Sequence, residues 1–261
     1  MINRESLFNE AYNYLLDLIE KEVLLKELNY YKENSISDLN EVYKRLLISL
    51  QNRQGFMNFL GSVDGLRAAL FKYDAKRVIA EYGDDHLELM HKIKPLFPNK
   101  IFSAHNKRNA WYQYSKSILS AAKFLSQFHV HADFEEFIEA FDINPQTRAA
   151  LPMVLSYEIH GLGYALSCDF LKEIGYSAYG KPDIWLRRIF VGVGLVPPTA
   201  SDFMIAKEIS LIADEVGRPA AEVDKVFWII GSGKLNQSNG NIGSHYDNFI
   251  NKVTTTSADK T

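Results

Sequence analysis

The sequence predicts an all-α fold, and three observations carry that reading. Apolar residues recur at helical spacing through most of the 261 residues. No stretch sustains the two-residue alternation of a half-buried strand, and no internal repeat is visible. Helix starts and stops punctuate the periodic stretches, with Asp or Ser before them and Gly or Pro after them.

Taken in order, residues 5–31 read as one amphipathic helix with Leu15, Leu16, Ile19, Val23 and Leu24 on its stripe. Asp38 and Glu41 form a capping-box pair for a second helix, which lays Leu39, Val42, Leu46 and Leu50 along one face before Gly61. Shorter helices are expected at 63–71, 74–82 and 84–93, the last closed by Pro95. Residues 93–109 read as loop and as a lobe boundary. A helix over 111–128 carries Tyr114, Ile118, Ala121 and Leu125 in register, and Asp133 with Glu136 opens another that runs to Phe141. After a break at Val196-Pro197-Pro198, helices are expected at 201–216 and 219–230, separated at Gly217. From Gly231 onward the chain is rich in Gly, Asn and Ser, and its last ten residues are expected to be disordered.

Composition narrows the class. With 47% hydrophobic and 23% charged residues the chain has the makings of a sizeable core. No apolar run approaches the roughly 20 residues of a membrane span, and the first residues lack the apolar block of a signal peptide. Cys168 is the one cysteine, which leaves no intrachain disulfide and no four-cysteine cluster. Together these point to a cytoplasmic protein. The formal net charge of −3 is unevenly spread. Between Leu89 and Ala132 there is no Asp or Glu, while Lys92, Lys94, Lys100, Lys107, Arg108, Lys116 and Lys123 all fall there. Taking these seven from the 29 basic residues leaves 22 against 32 acids elsewhere. A cationic segment in an anionic chain is the footprint of a phosphate-binding face.

The most informative stretch is 153–190. Residues 153–159 read as a short helix opened by Pro152. His160-Gly161-Leu162-Gly163 is a tight turn, its glycines suited to backbone that other residues resist. Residues 164–174 are helical again, with Leu166, Phe170, Leu171 and Ile174 in register and Gly175 as the stop. The next helix opens at Lys181-Pro182-Asp183, which puts a carboxylate in its first turn. Two glycines let backbone amides approach a phosphate, and the following helix N-terminus adds partial positive charge.

Helix, two-glycine turn, helix, then an Asp opening a helix eighteen positions after Ala165: the pattern resembles the helix-hairpin-helix DNA glycosylases. Arg187-Arg188, Gly194-Leu195 and Val223-Asp224 with Trp228 extend the likeness over about residues 109–231. It implies a two-lobed helical glycosylase-like fold with an N-terminal helical extension, divided as 1–95, 96–235 and a polar tail at 236–261. It implies a monomeric enzyme that binds double-stranded DNA, flips out a modified base and hydrolyses its bond to the sugar, leaving an abasic site. Asp183 takes the catalytic position, where a carboxylate stabilises the developing sugar cation and orients or deprotonates water. Its place at a helix N-terminus suits a group that stays ionised. Bifunctional members carry Lys where this chain has Ala165, so the resemblance is to the monofunctional type without an iron–sulfur cluster. Lys172 and Lys181 read as solvated, phosphate-contacting lysines. The expected DNA-binding residues are His160, Gly161, Leu162, Gly163, Tyr164 and Lys181 at the hairpin, with Lys107, Arg108 and Lys116 from the basic segment. Trp111, Tyr114, Tyr157 and Trp185 are candidate walls of the base pocket, and Asn109 and Gln113 candidate readers of the base edge. No cofactor is expected, apart from a monovalent cation that the resemblance places on main-chain carbonyls of the hairpin.

One departure stands out: members often carry His two residues after the Asp, where this chain has Trp185. His129 and His131 resemble half a metal site, yet no Cys or carboxylate cluster completes it, and no metal is expected there. The substrate stays open between an alkylated or oxidised base, in repair, and a hypermodified base of phage DNA, in defence. A non-catalytic helix-hairpin-helix protein that recognises DNA shape is the alternative, and an all-α interaction module the third reading. A carboxylate beside the phosphate path argues against a pure binder.

Overall fold

The structure, a computed structural model, describes residues 3–33, 36–53, 56 and 59–258. Its α-helices are, in chain order, α1 (Arg4–Leu16), α2 (Lys21–Asn29), α3 (Leu39–Gln51), α4 (Ala75–Tyr82), α5 (His86–Ile93), α6 (Ala110–Leu125), α7 (His131–Glu139), α8 (Pro145–Glu158), α9 (Tyr164–Glu173), α10 (Ile184–Gly192), α11 (Asp202–Val216), α12 (Ala220–Ser232) and α13 (Tyr246–Ala258). Among the described residues the only strands are β1 (Lys234–Leu235) and β2 (Gly240–Asn241), an antiparallel pair. The fold is all-α. No helix of the described residues is long and apolar enough to cross a membrane.

The chain divides into two units, one of residues 36–170 and one that joins 1–35 to 171–261. This differs from the expected division at 95 and 235, and the reason lies in where the first helices bury their stripes. Leu7, Phe8, Ala11 and Leu15 of α1, and Leu24 and Leu28 of α2, belong to one apolar core with Ile189, Phe190, Ile209, Phe227 and Phe249. α12 is the axis of this unit, buried on nearly every face, with α1, α2, α10, α11 and α13 against it. Phe227 meets Phe190, Phe249 and Phe8 at ring-centroid distances of 5.1, 6.4 and 6.5 Å. The single helix expected over 5–31 is two: α1 ends at the Asp17 cap, and α2 starts after Glu20. α1 packs on α11, α12 and α13 while α2 packs on α12, and one straight rod could not follow both paths.

The chain beyond Gly231 is also more ordered than its composition suggests. α13 runs through the end of the polar tail and takes in 252–258 of the last ten residues, because Phe249 and Val253 fall on one face and are buried in the same core; 259–261 lie outside the described residues. Polar residues dominate the rest of that helix, which is why the sequence reads as tail.

The unit of residues 36–170 is built on α6, against which α3, α4, α5 and α8 pack. Two buried tyrosines fasten it: Tyr43 of α3 donates to Ile118 O of α6 at 2.9 Å, and Tyr114 of α6 donates to Leu47 O of α3 at 3.0 Å. Residues 63–71 hold only a 3-10 turn, Val63–Leu66, because Phe71, Lys72 and Tyr73 turn left-handed at φ 50°, 60° and 68°. α8 begins earlier than expected. Asn144 caps it through the amides of Gln146 and Thr147, Pro145 takes its first position, and Pro152 lies inside the helix rather than opening it. α7 starts at His131, where Asp133 bonds back to the amides of His129 and Val130.

The packing of α13 is testable. Phe249 is fully buried, so Phe249→Ala should destabilise the protein by about 3–5 kcal/mol in urea-unfolding measurements. Unchanged stability would mean that the C-terminal segment is not part of the core.

Candidate hairpin interface and catalytic carboxylate

The hairpin joins α8 to α9 through a turn fixed from several sides. The His160 amide donates to Ser120 Oγ at 2.9 Å, and Leu162, itself buried, returns its amide to Ile159 O at 3.1 Å. Tyr164 donates its hydroxyl to Ala149 O at 2.8 Å, tying the first turn of α9 to α8. Gly161 has φ +84°, and a Cβ there would stand 2.8 Å from Ser117 Oγ, so this glycine serves the turn itself. Gly163 differs: it is exposed, and a Cβ would meet nothing within 4 Å. Among the described residues no neighbour demands glycine at that position. The first bond of α9 runs from Ser167 N to Gly163 O, so the amides of Ala165 and Leu166 precede any intrahelical acceptor.

His160 is partly buried and pairs its Nε2 with Gln113 Oε1 at 2.9 Å, while Gln113 Nε2 donates to Lys107 O at 2.6 Å. Burial first, then Lys116, Arg53 and His86, push the imidazole below its ordinary range, so it is neutral at pH 7. Gln113 is therefore engaged in bracing the hairpin. Asn109 is engaged too: it caps α6 through the amides of Trp111 and Tyr112 and donates to Ile101 O. Neither is an open reader of a base edge. Of the basic segment, Lys92 pairs with Glu88 and Lys123 with Asp84. Lys107 and Arg108 are exposed and Lys116 is partly so.

Asp183 caps α10. Its Oδ1 accepts the amides of Trp185 at 2.8 Å and Leu186 at 3.1 Å, the geometry expected of an Asp before a helix. Those two bonds and the charge of Lys181 favour the ionised form, yet the carboxyl is pushed up to about 6. Burial is the largest cause and the nearby Asp224 the second. The helix N-terminus thus does not decide the titration. At pH 7 the group is mostly ionised, with a proton affinity close to that of a working general base.

Behind Asp183 lie charges whose burial the sequence did not reveal. Asp224, 2% exposed, accepts from Lys172 Nζ at 2.7 Å and from the Lys181 amide at 3.0 Å. Lys225 Nζ pairs with Glu27 Oε2 at 3.1 Å, and Glu27, fully buried, also accepts the amides of Gln237 and Ser238. Lys172 is therefore a buried, ion-paired lysine and not the solvated one its type suggests. The available signal was the run of Glu222, Asp224 and Lys225 inside a helix otherwise almost wholly apolar.

The four aromatic candidates separate. Trp111 and Tyr114 are fully buried core residues of α6: Trp111 stacks on Phe102 at 4.6 Å, and Tyr114 bonds Leu47. They do not line an open pocket. Helical spacing from a capped start made them core, as the same spacing does for Ile118 and Leu125. Tyr157 stands 90% exposed on α8. Trp185 is partly buried between Tyr246, at 5.7 Å, and the Arg188 guanidinium, at 5.0 Å from its ring. His129 faces Lys76 and His131 faces Glu135; among the described residues no group of three or more His, Cys, Asp or Glu is placed to hold a metal ion.

All-α architecture, a two-glycine hairpin between α8 and α9 and an Asp cap on α10 are what the structure brings together along this stretch. Among solved structures the chain is similar to the 8-oxoguanine glycosylase/lyase of Methanocaldococcus jannaschii, crystallised with a 15mer DNA containing 8-oxoguanine. The TM-score is 0.52 at 20% identity, over 88% of this chain and 99% of that one. At this identity the likeness is one of fold. No protein-family model matches the sequence, and no curated protein does either.

The Asp183 assignment has a consequence for stability. A carboxyl that binds its proton more tightly folded than unfolded makes the native state lose stability as pH rises through the interval from 3.8 to about 6. Asp183→Asn keeps a capping oxygen and removes the charge. Its melting temperature should exceed that of the wild type above pH 6, and the gap should close as pH falls toward 4. A lower melting temperature at pH 7 would show that the charge stabilises the fold.

Proposed function

We propose that this chain is a DNA N-glycosylase that flips out a modified base and hydrolyses its bond to the sugar. The observation that carries the reading is Asp183: a half-buried carboxylate, ionised at pH 7, on the helix that follows the hairpin at glycosylase spacing. As the base departs, positive charge builds on the deoxyribose, and a fixed carboxylate there lowers the barrier and takes a proton from water. The hairpin would hold the DNA backbone, together with Lys107, Arg108, Lys116 and Lys181, and main-chain carbonyls there would hold a monovalent cation. Tyr157 and Trp185 remain the candidates for contact with the extruded base.

The reaction would stop at the abasic site. Ala165 has no amine to attack the sugar. The buried lysine further along the same helix, Lys172, is held in an ion pair 2.7 Å from Asp224. The neighbour in fold is, by its own description, a glycosylase/lyase, so this chain would differ from it in the second step. The substrate would be an altered base, from damage or from a phage that modifies its DNA. The protein would act as a cytoplasmic monomer.

The test is a panel of duplexes carrying oxidised, alkylated and phage-type modified bases, with released base measured by mass spectrometry. Wild type should release one class of base and leave a strand cut only by added alkali, and borohydride should trap no protein–DNA adduct. Asp183→Asn should lose on the order of a hundredfold or more in rate while binding as well or better, since a carboxylate near phosphates is neutralised. Full activity in Asp183→Asn ends the catalytic assignment. A trapped adduct ends the monofunctional one. Duplex binding with no base released from any substrate would favour the shape-recognising binder.

A further inference from the structure

We infer that Arg53 is a DNA-contacting residue that completes the hairpin: its guanidinium and the Gly161–Gly163 turn form one site for a backbone phosphate. The inference deepens the proposed function and rests on DNA being the partner. Arg53 follows α3, more than a hundred residues before the hairpin, in a segment the motif does not reach. Yet the two share an open cleft of about 410 Å³, lined by Asn52, Arg53, Ser156, Gly161, Gly163 and the buried Leu162 among others.

Three features make the cleft a place for an anion. Arg53 Nη1 is shielded from solvent and has no hydrogen-bond partner among the described residues, although a guanidinium brings five N–H donors that normally find acceptors. It lies against the turn, because a Cβ built on Gly161 would stand 3.2 Å from it. Among the described residues the lining carries no carboxylate, and the charged groups acting on the adjacent His160 are Lys116, Arg53 and His86, with no acid among them. A phosphate in the cleft would give the guanidinium an acceptor. Gly163 faces open space on that side, which leaves room for the ligand where a side chain would intrude. The stack of the Arg53 guanidinium over Phe56, at 5.1 Å, limits the ways the fork can turn. The planar fork also suits two phosphate oxygens at once, as an ammonium does not.

Fluorescence anisotropy of the full chain on a labelled duplex, across a salt series, tests this. Each phosphate contact contributes about 0.9 to the slope of log affinity against log salt. Arg53→Ala should weaken binding about tenfold and flatten the slope by close to that amount. Arg53→Lys keeps the charge, so it should keep the slope while recovering only part of the affinity. Arg77→Ala, which removes an exposed arginine of α4, should change neither. Circular dichroism and melting of each variant separate binding loss from unfolding, and Arg53→Lys carries the test if Arg53→Ala does not fold. Wild-type slope and affinity in Arg53→Ala, or equal slope losses in Arg53→Ala and Arg53→Lys, would overturn the assignment. Base release has no part in this readout: a chain that binds through Arg53 but releases no base keeps this site and loses only the catalytic reading.

Discussion

The bond pattern on which the candidate chemistry depends is the Asp183 cap. One carboxylate oxygen takes two of the orphan amides at the start of α10, those of Trp185 and Leu186, which fixes the side chain against its own backbone and leaves the second oxygen for other work. A cap of this kind normally draws a carboxyl down. Here burial and Asp224 outweigh two backbone bonds and Lys181, and the group ends up near 6. The same side chain thus has a fixed position and a proton affinity raised toward neutrality. A surface cap has only the first, and a buried unpartnered carboxyl only the second.

Asp224 is central to both properties. It holds the Lys181 amide, two residues before Asp183, and so fastens the entry to α10 onto α12. It also pairs with Lys172 of α9, so that the buried anion of α12 is not left as a bare charge. Such pairs seldom add net stability, because desolvation offsets the attraction. That two such pairs tie α12 to its neighbours, Asp224 to Lys172 of α9 and Lys225 to Glu27 of α2, fits a role in fixing geometry. Gly180 belongs to the same arrangement: a Cβ there would meet Ala220 O at 2.9 Å and Asp224 Cβ at 3.2 Å, so the loop passes close against α12.

Much of this was legible in the sequence, for physical reasons that differ by residue. The hairpin and Asp183 could be read because turns and caps are local: the glycine at φ +84° and the Asp before its helix need no distant partner to be recognised. Helix type followed from period, and most boundaries lay within a few residues of those expected. What failed was non-local. α1 and α2 have the stripe of one helix but pack along two directions, and Phe249 and Val253 are too few apolar positions to mark α13 within a polar run. Trp111 and Tyr114 looked like pocket walls because they adjoin a basic segment, yet α3 and the loop around Phe102 cover them. Lys172 was misread because its partner Asp224 is far along the chain, and type alone reads a Lys as solvated.

The central claim is that the Asp183 carboxylate, in its ionised form, carries the hydrolysis. The measurement that tests it most directly is the single-turnover rate of base release as a function of pH, on whichever duplex proves to be a substrate. The account predicts a rise through a midpoint near 6 to a plateau, with the midpoint absent from the residual rate of Asp183→Asn. A wild-type rate that is flat from about pH 5 to 8, or a midpoint near 6 that persists in the Asn variant, would contradict it.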